Sequence, residues 1–220
     1  MYRLPLFPLH TVLFPGAPIT LHIFEPRYRL MIEECLETGQ PFGVVLIREG
    51  REAFGPLAQP HPVGCTAEIT DVERLPNGHM NIVAVGRERF QIVELSYDRP
   101  YLVGTVEPFP AADLHQPEAQ QAAQQLRPWV ERYLATLARA LPSNSLDPAA
   151  LPADPLALGY FAAALVQIPA DQKQALLATS RAAQLLSDMR DVYRREVALL
   201  DVILERDRML ARGRGFFSAN

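Results

Sequence analysis

At 220 residues the chain has room for one large domain or two small ones, each with its own core. Hydrophobic residues at 49% and charged residues at 21% fit a globular protein in water. A net charge of −4 argues against nucleic acid as a partner, and no apolar run is long enough for a membrane-spanning helix.

The N-terminus is apolar but broken by prolines. It reads Leu4-Pro-Leu-Phe-Pro-Leu9, then Val12-Leu-Phe-Pro-Gly16, then Leu21-His-Ile-Phe-Glu-Pro-Arg-Tyr-Arg29. Those prolines, a single early arginine and the lack of a small-residue cleavage site argue against a signal peptide. The expected compartment is the cytoplasm. Cys35 and Cys65 have no metal or redox spacing and fall on apolar faces, as buried free thiols do.

Residues 1–110 read as mainly β. Thr20–Phe24 alternates as a short strand. Glu25-Pro26 then opens a helix, with proline at the first turn where its missing N–H costs nothing. Tyr28, Met31, Ile32, Cys35 and Leu36 recur at helical spacing, and Gly39 ends the helix. Phe42–Ile47 is a nearly continuous apolar run, the pattern of a strand covered on both faces.

Val63, Cys65, Ala67 and Ile69 alternate, and the phase then slips to Val72, which predicts a bulge near Thr70-Asp71. Pro76-Asn77-Gly78 predicts a hairpin with a type I′ turn. Met80–Val85 returns as its partner, Gly86 allows a sharp bend, and Phe90–Leu95 and Tyr101–Val106 add two more strands. Short strands at this spacing predict a barrel or sandwich.

Composition changes after Pro110, and residues 111–117 read as a linker. Residues 118–211 read as a helical subdomain and 212–220 as a disordered tail. Glu118–Ala140 predicts a long helix with Trp129, Tyr133 and Leu137 on one face and a bend or restart at Pro128. Leu141–Pro152 reads as a loop. Asp154-Pro155 caps the next helix, which runs to Val166. Further helices follow at Asp171–Ala178 and from Ser180 to about Arg208, the last with a stripe of Leu186, Met189, Tyr193, Val197, Leu200 and Leu204.

The order of these segments resembles the N-terminal, substrate-binding domain of Lon proteases. The opening carries the resemblance, with Gly64–Ile69, Leu75-Pro-Asn-Gly78, Asn81-Ile82, Gly86-Arg-Glu-Arg-Phe90, Pro100-Tyr101, Ala153-Asp-Pro155 and Lys173-Gln-Ala-Leu-Leu177. It extends from about Leu4 to Glu205. The resemblance implies an α+β fold, a PUA-like β pseudo-barrel followed by a C-terminal helical subdomain. It also implies a stand-alone recognition module for unfolded or partly folded polypeptides, involved in proteolysis without performing it.

The residues supply no chemistry of their own. Lys173 is the only lysine, and Gln172 rather than glycine precedes it, so no phosphate-cradling loop exists. A Ser–Lys dyad needs contact, yet Ser180 lies two helical turns on, about 10 Å along an uninterrupted helix. His10, His22, His61, His79 and His115 are scattered and read as surface or turn residues; His61 and Cys65 lack two further ligands for a metal. No catalytic residue, metal or cofactor is expected. Glu33-Glu34 and Glu25 read as charges on the solvent face of the helix or paired with Arg27 and Arg29.

Five residues are candidates for binding a chain. Glu25, Arg27, Arg87 and Arg89 sit among apolar residues, where arginine can fork onto carboxylates or carbonyls. They either lock the first helix to the barrel or line a groove. Phe14 either plugs the barrel or forms an apolar lip. The alternatives to polypeptide recognition are a scaffold docking on one folded partner, a protease among the possibilities, then RNA binding by fold analogy, then a hydrolase or transferase with an unrecognised site. The long final helix leaves self-association open.

Overall fold

The computed structural model describes all residues except 53–56, 115, 141–150 and 215–220. The first strand, β1 (Tyr2–Leu9), is one the sequence pattern does not assign, because it contains Pro5 and Pro8. Proline lacks a ladder donor and is confined to strand margins and edges. Each half of β1 has one partner only. Tyr2–Leu6 pairs antiparallel with Leu102–Val106, and Leu6–Leu9 pairs parallel with Gly43–Leu46. Neither proline therefore interrupts pairing on both sides.

The other strands are β2 (Pro18–Ile23), β3 (Phe42–Glu49), β4 (Gln59–Pro60), β5 (Val63–Arg74), β6 (Met80–Ser96) and β7 (Leu102–Pro108). Hydrogen-bonded neighbours run β1–β7–β6–β5–β3, and the β1–β3 ladder closes the ring. β2 is attached outside that ring to β6, and β4 to β3. The expected pseudo-barrel is thus present, and its closure removes most open edges.

β3 is buried on both faces from Phe42 to Ile47, as its continuous apolar run implies. Phe42 and Val44 join a cluster with Phe7, Met31, Ile32 and Ile82, while Val45 joins Leu4, Leu6, Phe90 and Val106. Helix α1 (Pro26–Thr38) covers the first cluster with Tyr28, Met31, Ile32 and Cys35; Gly39 ends it at φ 67°. Burial pushes the Cys35 thiol up to about 11 and the Cys65 thiol up to about 12. The folded state thus holds these protons above the pH where the unfolded chain loses them. Stability should fall as pH rises past about 8.5. Native protein at pH 8 should react with a thiol reagent far more slowly than protein in urea; equal rates would show the thiols to be accessible.

The bulge expected at Thr70-Asp71 is present: the register slips between Ile69 and Asp71, and the Thr70 hydroxyl donates to the Val83 carbonyl at 3.1 Å. A second slip, between Cys65 and Ala67, is spanned by Thr66, whose hydroxyl accepts from Glu88 N–H at 3.0 Å. The hairpin is real, but its turn is not type I′. Leu75 N–H bonds the His79 carbonyl, Gly78 N–H bonds the Leu75 carbonyl, and Gly78 has φ 76°. This is a three-residue loop, and Pro76 forces it, since a proline φ near −65° forbids the positive value that type I′ demands.

Gly86 does not end a strand. β6 continues through it for 17 residues, so Phe90–Leu95 is part of the same strand. Gly86 instead admits another backbone: its N–H bonds Ala17 O at 2.9 Å and its carbonyl accepts from Gly16 N–H at 2.8 Å.

The chain divides into two compact units, Met1–Ala112 with Ala163–Arg181, and Asp113–Ala162 with Ala182–Asn220. The first unit includes α4 (Ala170–Leu177). Gln174 donates to Val63 O at 3.0 Å, and buried Arg89 donates to Leu177 O and Thr179 O at 2.7 and 2.6 Å. These long-range bonds tie residues 163–181 to the barrel rather than to the helices beside them in sequence.

In the second unit, α2 (Pro117–Ala140) and α5 (Ala182–Arg214) pack along each other. The buried stripe of α2 is Ala119, Ala123, Leu126, Val130, Tyr133 and Leu134, with Trp129 only half-buried beneath Arg132 and Arg194. Leu186, Met189, Tyr193 and Val197 of α5 are buried, and the Tyr193 hydroxyl donates to Ala162 O at 3.0 Å. α3 (Pro155–Leu165) starts at an Asp154 cap, which accepts from Ala157 N–H at 2.8 Å. The expected loop at 141–152 lies outside the described residues up to 150. The expected tail does so from 215, while residues 212–214 continue α5.

Candidate functional site

β2 is bonded to β6 alone among the described strands, and no described strand pairs with its other edge. It starts with Pro18 and alternates exposed and covered residues, the marks of an edge strand. A cavity of about 300 Å³ runs beside it. Six consecutive residues, Thr20 to Glu25, line this cavity. Successive side chains in a strand point to opposite faces, so an unbroken run along one wall marks the strand's edge.

Opposite lie Phe7 and Leu9 of β1, Tyr28 of α1, and Glu52. Phe7 and Tyr28 are stacked with centroids 4.1 Å apart. Burial pushes the Tyr28 hydroxyl up to about 12, so it stays a neutral hydrogen-bonding group. Glu25 and Glu52 supply the carboxylates. Glu25 is bridged to Arg27 at 3.0 Å, and both side chains are largely covered. Glu52 accepts from the His10 backbone N–H at 3.1 Å. The groove therefore offers a strand edge that no described strand pairs, an apolar wall and an acidic end.

Of the five residues singled out in sequence, only Glu25 lines this groove. Arg27 stands behind it, reaching Glu25 and lying over the Tyr28 ring at 4.7 Å. Phe14 is fully buried. Arg89 is 4% exposed and fastens the end of α4. Arg87 is exposed and bridges Glu68 at 2.6 Å. Glu33 and Glu34 pair not with Arg27 or Arg29 but with Arg74 and Arg99, and Glu34 also accepts from the Tyr101 hydroxyl.

The sequence reading missed Phe7, Glu52 and the β2 edge. Pro18 ahead of an alternating strand was the signal for the last. It also scattered the histidines, whereas the fold brings His22 and His79 within 3.3 Å. Among the described residues, no group of three or more His, Cys, Asp or Glu side chains converges on a metal position. No helix of the described residues is long and apolar enough to cross a membrane. Lys173 donates to Ala164 O at 3.1 Å, and burial lowers its pKa.

Known proteins resemble this chain in sequence and fold. The chain is 27% identical over 204 residues to the Lon protease of Syntrophus aciditrophicus strain SB, a match covering 90% of this chain and 26% of that protein. It is 27% identical to Lon protease 2 of Myxococcus xanthus, covering 80% of this chain and 21% of that protein. The chain thus spans about a quarter of the length of these relatives. Among solved structures, a Lon N-terminal domain protein from Xanthomonas campestris superposes with a TM-score of 0.60 at 30% identity, over 86% of this chain and 97% of that one. The N-terminal domain of the Mycobacterium avium complex Lon protease gives a TM-score of 0.68 at 21% identity, over 88% and 98%. Residues 3–192 match the family model of the ATP-dependent protease La (Lon) substrate-binding domain, and the chain belongs to that family.

Proposed function

We propose that this chain is a non-catalytic polypeptide-recognition module that binds an extended, apolar segment of an unfolded or partly folded protein along the free edge of β2. The observation that carries this reading is the groove itself. Its unpaired strand edge can add a strand through main-chain bonds, which gives affinity without sequence demands. The Phe7–Tyr28 wall takes apolar side chains, and Glu25 with Glu52 favours a basic residue at one end. Family membership supports substrate recognition in general, and the shape and lining of the groove support the β2 edge as its location.

Titrating the protein with a labelled unfolded polypeptide tests the reading. Binding should be weak and largely apolar. Phe24→Asp puts a charge on the half-buried wall without opening a core cavity. It should weaken binding about tenfold or more, the equivalent of about 1.4 kcal/mol. Arg87→Ala, on β6 and outside the groove, should leave binding unchanged. Undetectable binding to high micromolar concentrations, or equal binding by both variants, defeats the proposal.

A second reading, docking on one folded partner, is favoured by α5. Leu199, Val202 and Ile203 are 56%, 64% and 53% exposed and lie at helical spacing on one face. One stoichiometric partner captured from cells, lost on Val202→Lys, would favour this over general recognition.

A further inference from the structure

We propose that His22 and His79 form a binding site for a divalent transition-metal ion of the class that prefers imidazole, with Zn²⁺ as the test case. The site lies where the end of β2 meets the turn between β5 and β6, and it does not depend on the polypeptide-binding reading.

The hydrogen-bond network places the His22 ring proton and holds the His79 ring against it. Glu73 accepts from the Asn81 amide nitrogen at 2.7 Å, which turns the Asn81 oxygen toward His22. His22 Nδ1 lies 2.8 Å from that oxygen and must donate to it. In the neutral ring, Nε2 then holds a lone pair. On the other side, the His79 backbone N–H donates to the Asn77 side-chain oxygen at 3.0 Å, which turns the Asn77 amide nitrogen toward the His79 ring. That nitrogen lies 3.1 Å from His79 Nδ1, which accepts from it in the tautomer protonated at Nε2 and then also holds a lone pair.

His22 Nε2 and His79 Nδ1 are 3.3 Å apart. In that tautomer two lone pairs face each other; in the other, His79 Nδ1–H donates to His22 Nε2 across the same gap. In either case a divalent cation fits between the two nitrogens, displacing the proton where there is one. Two metal–nitrogen bonds of about 2.05 Å at a tetrahedral angle place their nitrogens about 3.3 Å apart. The Asn77 amide, on an exposed turn, swings away as the metal takes the His79 lone pair.

Two further features suit a metal. The chain Glu73–Asn81–His22 orients a ligating imidazole through its other nitrogen, the usual support for a histidine ligand. Phe24 covers one side of both rings, with centroids 6.0 Å from His22 and 6.3 Å from His79. His22 is solvent-exposed, so water completes the coordination, and the two protein ligands make the site reversible. The ion would join β2 to the β5–β6 turn at the mouth of the groove, since His22 also lines that cavity.

Titration of the tag-free chain with Zn²⁺ by calorimetry, and with Cu²⁺ by electron paramagnetic resonance, tests this. One ion per chain is expected, with a two-nitrogen signature for Cu²⁺ and a rise in melting temperature with Zn²⁺. His22→Gln and His79→Gln should each weaken binding about tenfold or more, consistent with loss of one of two ligands. Asn77→Ala, which removes a donor that competes for His79, should bind at least as tightly. Circular dichroism checks that each variant folds. The proposal is overturned if both histidine variants bind as the parent does. It is equally overturned if no Zn²⁺ is taken up at high micromolar concentration while nitrogen-detected spectra show a proton shared between the rings.

Discussion

Gly86→Ala should lower stability by roughly 3 kcal/mol, at the upper end of the cost of overfilling a packed interior. A Cβ at this position would stand 2.3 Å from the Phe14 carbonyl oxygen and 3.0 Å from its carbonyl carbon. Both are backbone atoms, so no rotamer change relieves the contact. The segment cannot retreat easily, because Gly16 N–H and Ala17 O are both bonded to Gly86, and Phe14 is wholly buried. Urea denaturation reads the effect as a lower midpoint with little change in slope. Gly39→Ala, with no atom within 4 Å of its added carbon but a positive φ, should cost only about 1 kcal/mol. Equal losses for the two would show that conformation, not close approach, governs position 86.

Arg89→Met should cost roughly 3 kcal/mol. The residue is 4% exposed, and its guanidinium donates to two carbonyls at the end of α4 while lying 4.9 Å from the Phe109 ring centroid. Methionine keeps much of the volume but leaves those carbonyls without this charged donor, and bonds to charged groups are worth about 1.5–3 kcal/mol each. Arg89→Lys should restore only part: an ammonium can bond both carbonyls as Nη1 does, but it brings no planar group to lie over the Phe109 ring. Hydrogen exchange separates this from a general loss of stability. Amides of α4 should exchange faster in Arg89→Met than those of α1, relative to the parent. Uniform acceleration across the barrel would refute a local anchoring role.

Where local rules act alone, the sequence was readable. α1 was legible because its N-terminal proline, helical spacing and terminal glycine agree. The Thr70 bulge was legible because a bulge shifts the side-chain alternation. β1 was not, because its prolines forbid a strand unless the partners stand on alternate sides, which only the closed ring supplies. The turn at Pro76 was misread by weighing Asn77-Gly78 above the proline before it. Arg89 was singled out for locking α1 to the barrel or lining a groove, whereas it bonds carbonyls 88 and 90 residues away, a pairing no local signal gives. The groove was hidden for a similar reason. It needs β1, β2, α1 and Glu52 together, and only Glu25 carried a local signal.

The split pairing of β1 bears on biogenesis. Residues 2–9 leave the ribosome well before Leu102–Val106, the stretch that completes their ladder, which follows roughly a hundred residues later. Until then an apolar ribbon waits with bare hydrogen-bonding groups, the kind of segment that recruits neighbours into aggregates. Pro5 and Pro8 make it a poor template for self-pairing during that interval. Substituting both with valine should raise the strand's intrinsic tendency to pair while increasing the insoluble fraction on rapid synthesis, a cost that equilibrium measurements on the finished molecule would not register.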